Sequence, residues 1–285
     1  MPTWFYEIVV APIAVAIAFR HAARALGARR AALEMAALAA YGFALEAVSM
    51  AVFASHHYSD SWRFAPLGVP VAVAFVWAAI IVAAMAVAWR YGAVSPLARA
   101  AAAALTGITL DMMIEPVAAR AGLWTWTPPG PWLGVPIGNF VGWAVIVGAY
   151  VHGAERWAGE ESWSRAIVRR AALATACIVM LLAVGLAWTG FGLERAFADG
   201  RGWVVWVCVL LATVSCRWWR HGAPAAPGSL PERLAAVPGR GPEAVLVVIG
   251  LAYAAEAFWI ADARVTLVVL GSLATLGAAA VRRRG

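Results

Sequence analysis

Three carboxylic acids lie in apolar stretches of the chain, where an ionised side chain is expensive. Glu46 falls within residues 31–54, and Asp111 and Glu115 fall within residues 98–118. A carboxyl near the centre of a membrane helix costs about 2.5–3.5 kcal/mol, so it usually faces a polar cavity or a partner. Asp111 and Glu115 are four residues apart and share one helix face. Two carboxyls in a poorly solvated pocket cannot both ionise readily, so one can keep its proton and act as an acid.

Two aromatic, turn-rich loops follow these acids. The first runs from His56 to Trp62, and the second runs from Trp124 to Trp132. Aromatic faces stabilise developing cations, so an acid beside Trp side chains suits protonation of an alkene better than ion transport. Asn139 could orient a water or a carboxyl, or it could hydrogen-bond between helices. His56 and His57 stand at the loop edge, where we expect them to be solvated.

The same acids admit a structural interpretation, in which they pack between helices through hydrogen bonds or Arg pairs. Glu256, in the stretch 243–260, lies outside the two acid-and-loop segments and is open between packing and function. No His, Cys, Asp and Glu cluster has metal-ligand spacing, and neither a Gly-rich phosphate loop nor a Ser nucleophile elbow occurs. We therefore expect neither a metal nor another cofactor.

The composition decides which elements must position these residues. Of the 285 residues, 64% are hydrophobic and 13% are charged, whereas soluble domains have about 45–50% and about 25%. This excludes a disordered chain, a disulfide scaffold and a nucleic-acid-binding domain. The 22 basic residues are all Arg and are spread between apolar runs. The expected fold class is all-α, a polytopic transmembrane helical bundle formed by residues 1–285 as one domain.

Nine stretches are apolar enough to cross a bilayer, with an uncertainty of one or two. They are roughly 4–19, 31–54, 68–89, 98–118, 133–151, 169–190, 202–216, 243–260 and 264–281. The connecting segments alternate in Arg content, with 17 Arg on one side and five on the other. The positive-inside rule then predicts a bacterial inner-membrane protein with its N-terminus outside and its C-terminus in the cytoplasm. The longest Arg-rich segment, 217–242, has the Pro, Gly and Ala content of a flexible cytoplasmic loop.

The tetrapeptide Leu-Gly-Val-Pro occurs twice, at 67–70 and at 133–136, and a Trp follows each Pro by seven residues, at Trp77 and Trp143. Each copy is preceded by an acid-bearing apolar stretch and an aromatic loop. The chain therefore predicts a parallel duplicated two-helix hairpin, with repeat units at about 31–89 and 98–151. Repeats of this kind often hold a site at their interface.

The second repeat resembles a known membrane family. It is similar to the CruF-type carotenoid biosynthesis proteins, which include carotenoid hydratases. The similarity lies in three patterns: D-x-x-x-D-P matches the run from Asp111 to Pro116, G-x-W-x-W matches Gly122-Leu123-Trp124-Thr125-Trp126, and G-x-P-x-x-N-F-x-G-W matches the stretch from Gly134 to Trp143. The chain departs from them at Glu115, where the family usually has Asp. The resemblance covers roughly residues 30–155.

The resemblance implies a carotenoid 1,2-hydratase. Such an enzyme protonates the terminal double bond of an acyclic end group, and water captures the tertiary carbocation. A carotenoid end-group cyclase uses the same protonation and is the enzymatic alternative, while a lipid-binding or transport protein is the alternative of another class. The implied catalytic residues are Asp111, Glu115, Glu46 and Asn139. The implied substrate-binding residues are Trp124, Trp126, Trp143, Trp62, Tyr58, Pro136 and Phe140. The expected partners are a hydrophobic carotenoid, the bilayer and other carotenoid enzymes, but no nucleic acid.

Overall fold

The computed structural model describes residues 2–90, 95–156, 162–197, 200–215 and 228–280. These residues form ten α-helices and a two-stranded antiparallel ribbon. The helices are α1 (Thr3–Leu26), α2 (Ala28–Phe53), α3 (Val71–Arg90), α4 (Pro96–Ala121), α5 (Ile137–Glu155), α6 (Trp163–Gly190), α7 (Gly202–Ser215), α8 (Leu230–Ala236), α9 (Gly241–Ile260) and α10 (Ala263–Ala280). The strands are β1 (His56–Tyr58) and β2 (Trp124–Trp126).

A helix occupies each of the nine predicted spans, and the all-α polytopic fold is confirmed. Within the described residues, seven helices are long and apolar enough to cross a membrane: α1 to α6 and α9. The two others are shorter. The 14 residues of α7 extend about 21 Å at 1.5 Å per residue, which is less than the roughly 30 Å of a hydrocarbon core.

The two predicted hairpins are α2–β1–α3 and α4–β2–α5, and their geometries correspond. The strands pair with each other, and the pairing is centred on His57 opposite Thr125. Trp77 and Trp143 stack with their ring centroids 4.0 Å apart. Both Leu-Gly pairs adopt positive φ, at 54° and 77° in the first copy and at 51° and 96° in the second. This correspondence supports the proposal that the two hairpins are copies of one unit.

Buried ion pairs join the helices at the end of the bundle away from the strands. Arg99 at the start of α4 bonds Glu155 at the end of α5, at 2.7 Å, and Arg170 of α6 bonds Glu34 of α2, at 2.6 Å. All four side chains are buried. These ion pairs join α4 to α5 and α6 to α2 at this end of the bundle.

The segment 217–242, predicted as a flexible loop, needs correction for residues 228–240. These residues contain α8, in which Leu230 and Leu234 are buried one turn apart. His21 contacts the Leu234 carbonyl at 2.7 Å, and the Arg90 guanidinium donates to the Val237 carbonyl at 2.7 Å. These contacts hold the segment against α1 and α3. The rest of the predicted loop, residues 217–227, lies outside the described residues.

Candidate functional site

A cavity of about 540 Å³ lies between the hairpins at the end of the bundle that carries the strands. Ten of the eleven residues predicted as catalytic or substrate-binding line it: Glu46, Tyr58, Trp62, Asp111, Glu115, Trp124, Trp126, Pro136, Asn139 and Trp143. Phe140 is the exception, since its side chain is buried but does not line the cavity. The cavity thus brings together residues that are almost a hundred positions apart, and their roles remain predictions.

Asp111 lies on α4 and is only 1% exposed. Its Oδ2 accepts a 2.7 Å hydrogen bond from Asn139 Nδ2 on the first turn of α5, whereas its Oδ1 is buried and accepts no hydrogen bond from the described residues. Glu115 lies one turn further along the same face of α4, and both carboxyls line the cavity. One Asp111 oxygen is therefore fixed, and the other is buried without a hydrogen-bond partner among the described residues.

Glu115 is held in place by two Trp side chains of strand β2. Its Oε2 accepts hydrogen bonds from Trp124 Nε1 at 2.8 Å and from Trp126 Nε1 at 2.9 Å. An indole N–H can only donate, so a Trp that is shielded from water needs an acceptor of this kind. The two bonds fix the Glu115 carboxyl and turn both indole rings towards the cavity.

Glu46 forms a second carboxyl centre on the first hairpin. Its Oε1 accepts a 2.8 Å hydrogen bond from Trp77 Nε1, and its Oε2 lies 3.1 Å from His56 Nε2. The His56 ring also packs on Trp126, with centroids 4.9 Å apart. The acid of each hairpin is therefore bound by Trp side chains, and His56 bridges the two centres.

His56 differs from the sequence prediction of a solvated loop residue. Its side chain is 8% exposed. Burial lowers the pKa of His56, but the hydrogen bond and the negative charge of Glu46 outweigh it, so that the pKa is raised overall. The sequence did contain one indication of the contact between His56 and Glu46. Glu46 lies near the end of a helix, and His56 follows just beyond that end. His57 is exposed, as predicted, and its ring contacts the Thr125 hydroxyl at 2.7 Å.

Glu194 is a site residue that sequence reasoning missed. It belongs to the 3₁₀ helix Leu193–Phe197, and its carboxylate accepts the backbone N–H groups of Ile137 at 2.6 Å and Gly138 at 3.0 Å. A carboxylate at this position stabilises a helix N-terminus. Glu194 thereby fixes the turn of α5 that presents Asn139 to Asp111. The 57 residues between Glu194 and Ile137 left no local signal for this contact.

Glu256 lies outside the cavity lining, although it is buried at 2% exposure. Its Oε2 accepts a 3.4 Å hydrogen bond from the hydroxyl of Tyr6, a residue that does line the cavity. This contact favours the packing interpretation for Glu256. In the part of the chain that the structure describes, no group of three or more His, Cys, Asp or Glu side chains could hold a metal ion.

The comparison with protein families gives the context for this geometry. The family model described as carotenoid biosynthesis protein matches residues 4–214. The chain belongs to the carotenoid biosynthesis protein family. The match contains both hairpins and Glu194, whereas Glu256 lies beyond it. No curated protein and no solved structure matches the chain. This carotenoid biosynthesis protein is therefore a membrane protein whose reaction must be argued from its cavity.

Proposed function

We propose that the protein is a carotenoid 1,2-hydratase, which adds water to the terminal double bond of an acyclic carotenoid end group. One observation carries the proposal. The Asp111 carboxyl has one oxygen fixed by Asn139 and the other without a hydrogen-bond partner among the described residues, and it lines the same aromatic cavity as Glu115. This is the arrangement of an acid with a neighbouring base, which general acid–base catalysis requires.

The reaction begins with protonation. The Asp111 carboxyl gives its proton to the terminal alkene carbon, the π electrons form the new C–H bond, and the adjacent carbon becomes a tertiary cation. Trp126 and the stacked Trp77–Trp143 pair present ring faces that stabilise this cation. The Glu46 carboxylate, on the other hairpin, adds negative charge to the same cavity. No electron acceptor is needed because the step is not a redox step.

Water capture completes the cycle. The oxygen of a water molecule forms a bond to the cation, and Glu115 takes the proton that the water releases. The product is a tertiary alcohol, and the substrate has gained the atoms of one water. Glu115 lies one helical turn from Asp111 in the same cavity, so the proton can return to Asp111. The catalyst is then restored without any cofactor.

The end-group cyclase remains the alternative reaction, since an internal alkene can capture the same cation. The polar lining supports water capture, because Glu46, His56, Asn139 and Glu115 can each hold a water molecule in hydrogen bonds. A purely apolar pocket would suit the folded end group that cyclisation needs. A transport or lipid-binding role gains no support from a carboxyl pair held by three separate hydrogen bonds.

Expression in a lycopene-accumulating bacterium tests the proposal. We expect pigments whose mass exceeds that of the substrate by one water, together with loss of one terminal double bond. A product of unchanged mass would indicate the cyclase, and unchanged pigment in cells that contain the membrane protein would contradict both reactions. The inner-membrane location, the outward N-terminus and an association with other carotenoid enzymes belong to the same proposal.

A further inference from the structure

A second, apolar groove lies on the surface of the bundle between α1 and α3. It has a volume of about 390 Å³, and its lining includes Pro12, Val15, Phe64 and Phe75. Phe64 and Phe75 are exposed, at 65% and 40%. In a membrane-spanning bundle such a surface faces the lipid. The ionisable residue in its lining is Glu7, whose Oε1 accepts the backbone N–H groups of Arg63 and Phe64.

The groove adjoins the cavity. Ala11 of α1 and Ala72 of α3 line both of them. The methyl side chains of these two residues therefore lie between the groove and the cavity. From Ala11, the groove follows α1 to Val15, which is one helical turn or about 6 Å further along the axis. It thus leads from the cavity along the helices, in the direction that crosses the membrane.

The size of the cavity requires such an outlet. A volume of about 540 Å³ suits a compact ligand of drug size. It can hold one end group of a carotenoid, but not the long polyene attached to it. On the hydratase proposal, the polyene must leave the cavity while its end group reacts at Asp111.

The cavity also reaches the contact between α2 and α6. There Phe53 of α2 packs against Gly185 of α6, so closely that a Cβ built on Gly185 would lie 2.5 Å from Phe53 Cζ. Both residues line the cavity. The Phe53 ring obstructs passage at this point. At Ala11 and Ala72, by contrast, the apolar lining continues outward into the groove.

We propose that the groove between α1 and α3 binds the polyene of the substrate, which leaves the cavity between Ala11 and Ala72. This inference rests on the proposed function. The polyene is apolar and extended, and the groove offers it apolar side chains, two Phe rings and direct access from the lipid. The groove thereby selects long acyclic carotenoids, because a short isoprenoid gains nothing from it.

Binding of lycopene to purified protein tests the groove separately from catalysis. Bound pigment per protein is measured by visible absorbance across a series of lycopene concentrations. Ala72→Phe places a ring at the junction and should weaken binding at least about tenfold, since each methylene removed from an apolar contact costs about fourfold. Phe75→Ala removes a ring from the groove lining and should weaken binding by at least about fourfold. Ala16→Phe, at an exposed position of α1 outside both linings, is the matched control and should bind normally.

The outcomes separate this inference from the hydratase proposal. Asp111→Asn should bind lycopene like the wild type, because it leaves the groove intact. If wild type and Asp111→Asn both bind lycopene but the wild type forms no product, the hydratase proposal fails and the groove stands. If Ala72→Phe and Phe75→Ala both bind lycopene as the wild type does, the groove is not the polyene site. Loss of binding in Gly185→Leu, with normal binding in Ala72→Phe, would likewise overturn it in favour of the α2–α6 side.

Discussion

At the scale of residues, the acids of the site were predictable and their hydrogen-bond partners were not. A carboxyl in a membrane helix is costly wherever the helix packs, so Glu46, Asp111 and Glu115 stand out from the sequence alone. Their partners depend on the tertiary fold. His56 meets Glu46 only because β1 turns back over the end of α2. Glu194 reaches α5 from the connection that follows α6.

Asp111→Asn should remove the proton donor. The amide oxygen of the new side chain can still accept the hydrogen bond from Asn139. General acid groups typically contribute about 10²–10⁴-fold, so product formation should fall by about that factor. Pigment analysis, with the amount of membrane-inserted protein measured in parallel, checks this. Glu256→Gln is the control, because Glu256 is buried but lies outside the cavity lining. An inactive Glu256→Gln beside a normal Asp111→Asn would move the active site away from the hairpins.

His56 makes the stability of the protein depend on pH. Its pKa is raised above the ordinary value of 6.5 because Glu46 outweighs the effect of burial, and Glu115 acts in the same direction. The pair therefore stabilises the fold fully below about pH 6.5 and loses this contribution as the pH rises through the folded-state pKa. The unfolding temperatures of the wild type and His56→Gln should differ most at acidic pH and should become equal at alkaline pH. The exposed His57→Gln should show no such trend, and a gap that widens with pH would contradict the assigned pair.

At the scale of elements, hydropathy located the helices of the nine predicted spans because apolar length is a local property. It did not locate α8, whose seven residues sit in a segment of loop-like composition. The sequence also did not predict the two three-residue strands. A strand this short forms only where it pairs with another strand, and that pairing depends on the tertiary fold. The repeated Leu-Gly-Val-Pro was a better guide, because it marks the same left-handed Leu-Gly turn before α3 and α5.

Gly42 lets the two helices of the first hairpin, α2 and α3, pack closely at Trp77. A Cβ at this position of α2 would lie 2.7 Å from Trp77 Cβ on α3. Gly42→Ala should therefore destabilise the bundle by about 1–3 kcal/mol, as overpacked cores do. It should also lower activity, because Trp77 donates to Glu46 and stacks on Trp143.

Gly277→Ala is the matched control for this change, since Gly277 lies in α10, where an added Cβ would meet no atom within 4 Å. Replacement of a helical Gly by Ala there should be neutral or stabilising by roughly 0.5–1 kcal/mol. Reversible unfolding in detergent measures both variants. Equal stability of Gly42→Ala and the wild type would show that α2 and α3 do not need this close approach.

At the scale of the whole molecule, the bundle has a polar cavity at one end and buried Arg–Glu pairs at the other. The 17 to 5 division of Arg between the two sides predicts that the cavity end faces outwards. Neither the seven long spans nor the family match decides this orientation, because both are the same for an inverted bundle. The charge distribution is the property that distinguishes the two orientations.

Reporter fusions can determine the orientation directly. Fusions after Gly27, Ser95 and Arg240 should report the cytoplasm, and fusions after Asp60 and Pro129 should report the outside. The two outward positions lie in the loops that cover the cavity, so they should give the same result as each other. A cytoplasmic signal from either one would break the positive-inside assignment. A difference between them would contradict the two parallel hairpins as well.

The central claim is that water supplies the new atoms of the product. The most direct measurement is conversion of lycopene by membranes that contain the protein, in water enriched in a heavy oxygen isotope. The account predicts that the product carries one heavy oxygen per modified end group, and that Asp111→Asn membranes form about 10²–10⁴-fold less of it. A product of unchanged mass, or an added oxygen that comes from molecular oxygen and not from water, would contradict the hydratase.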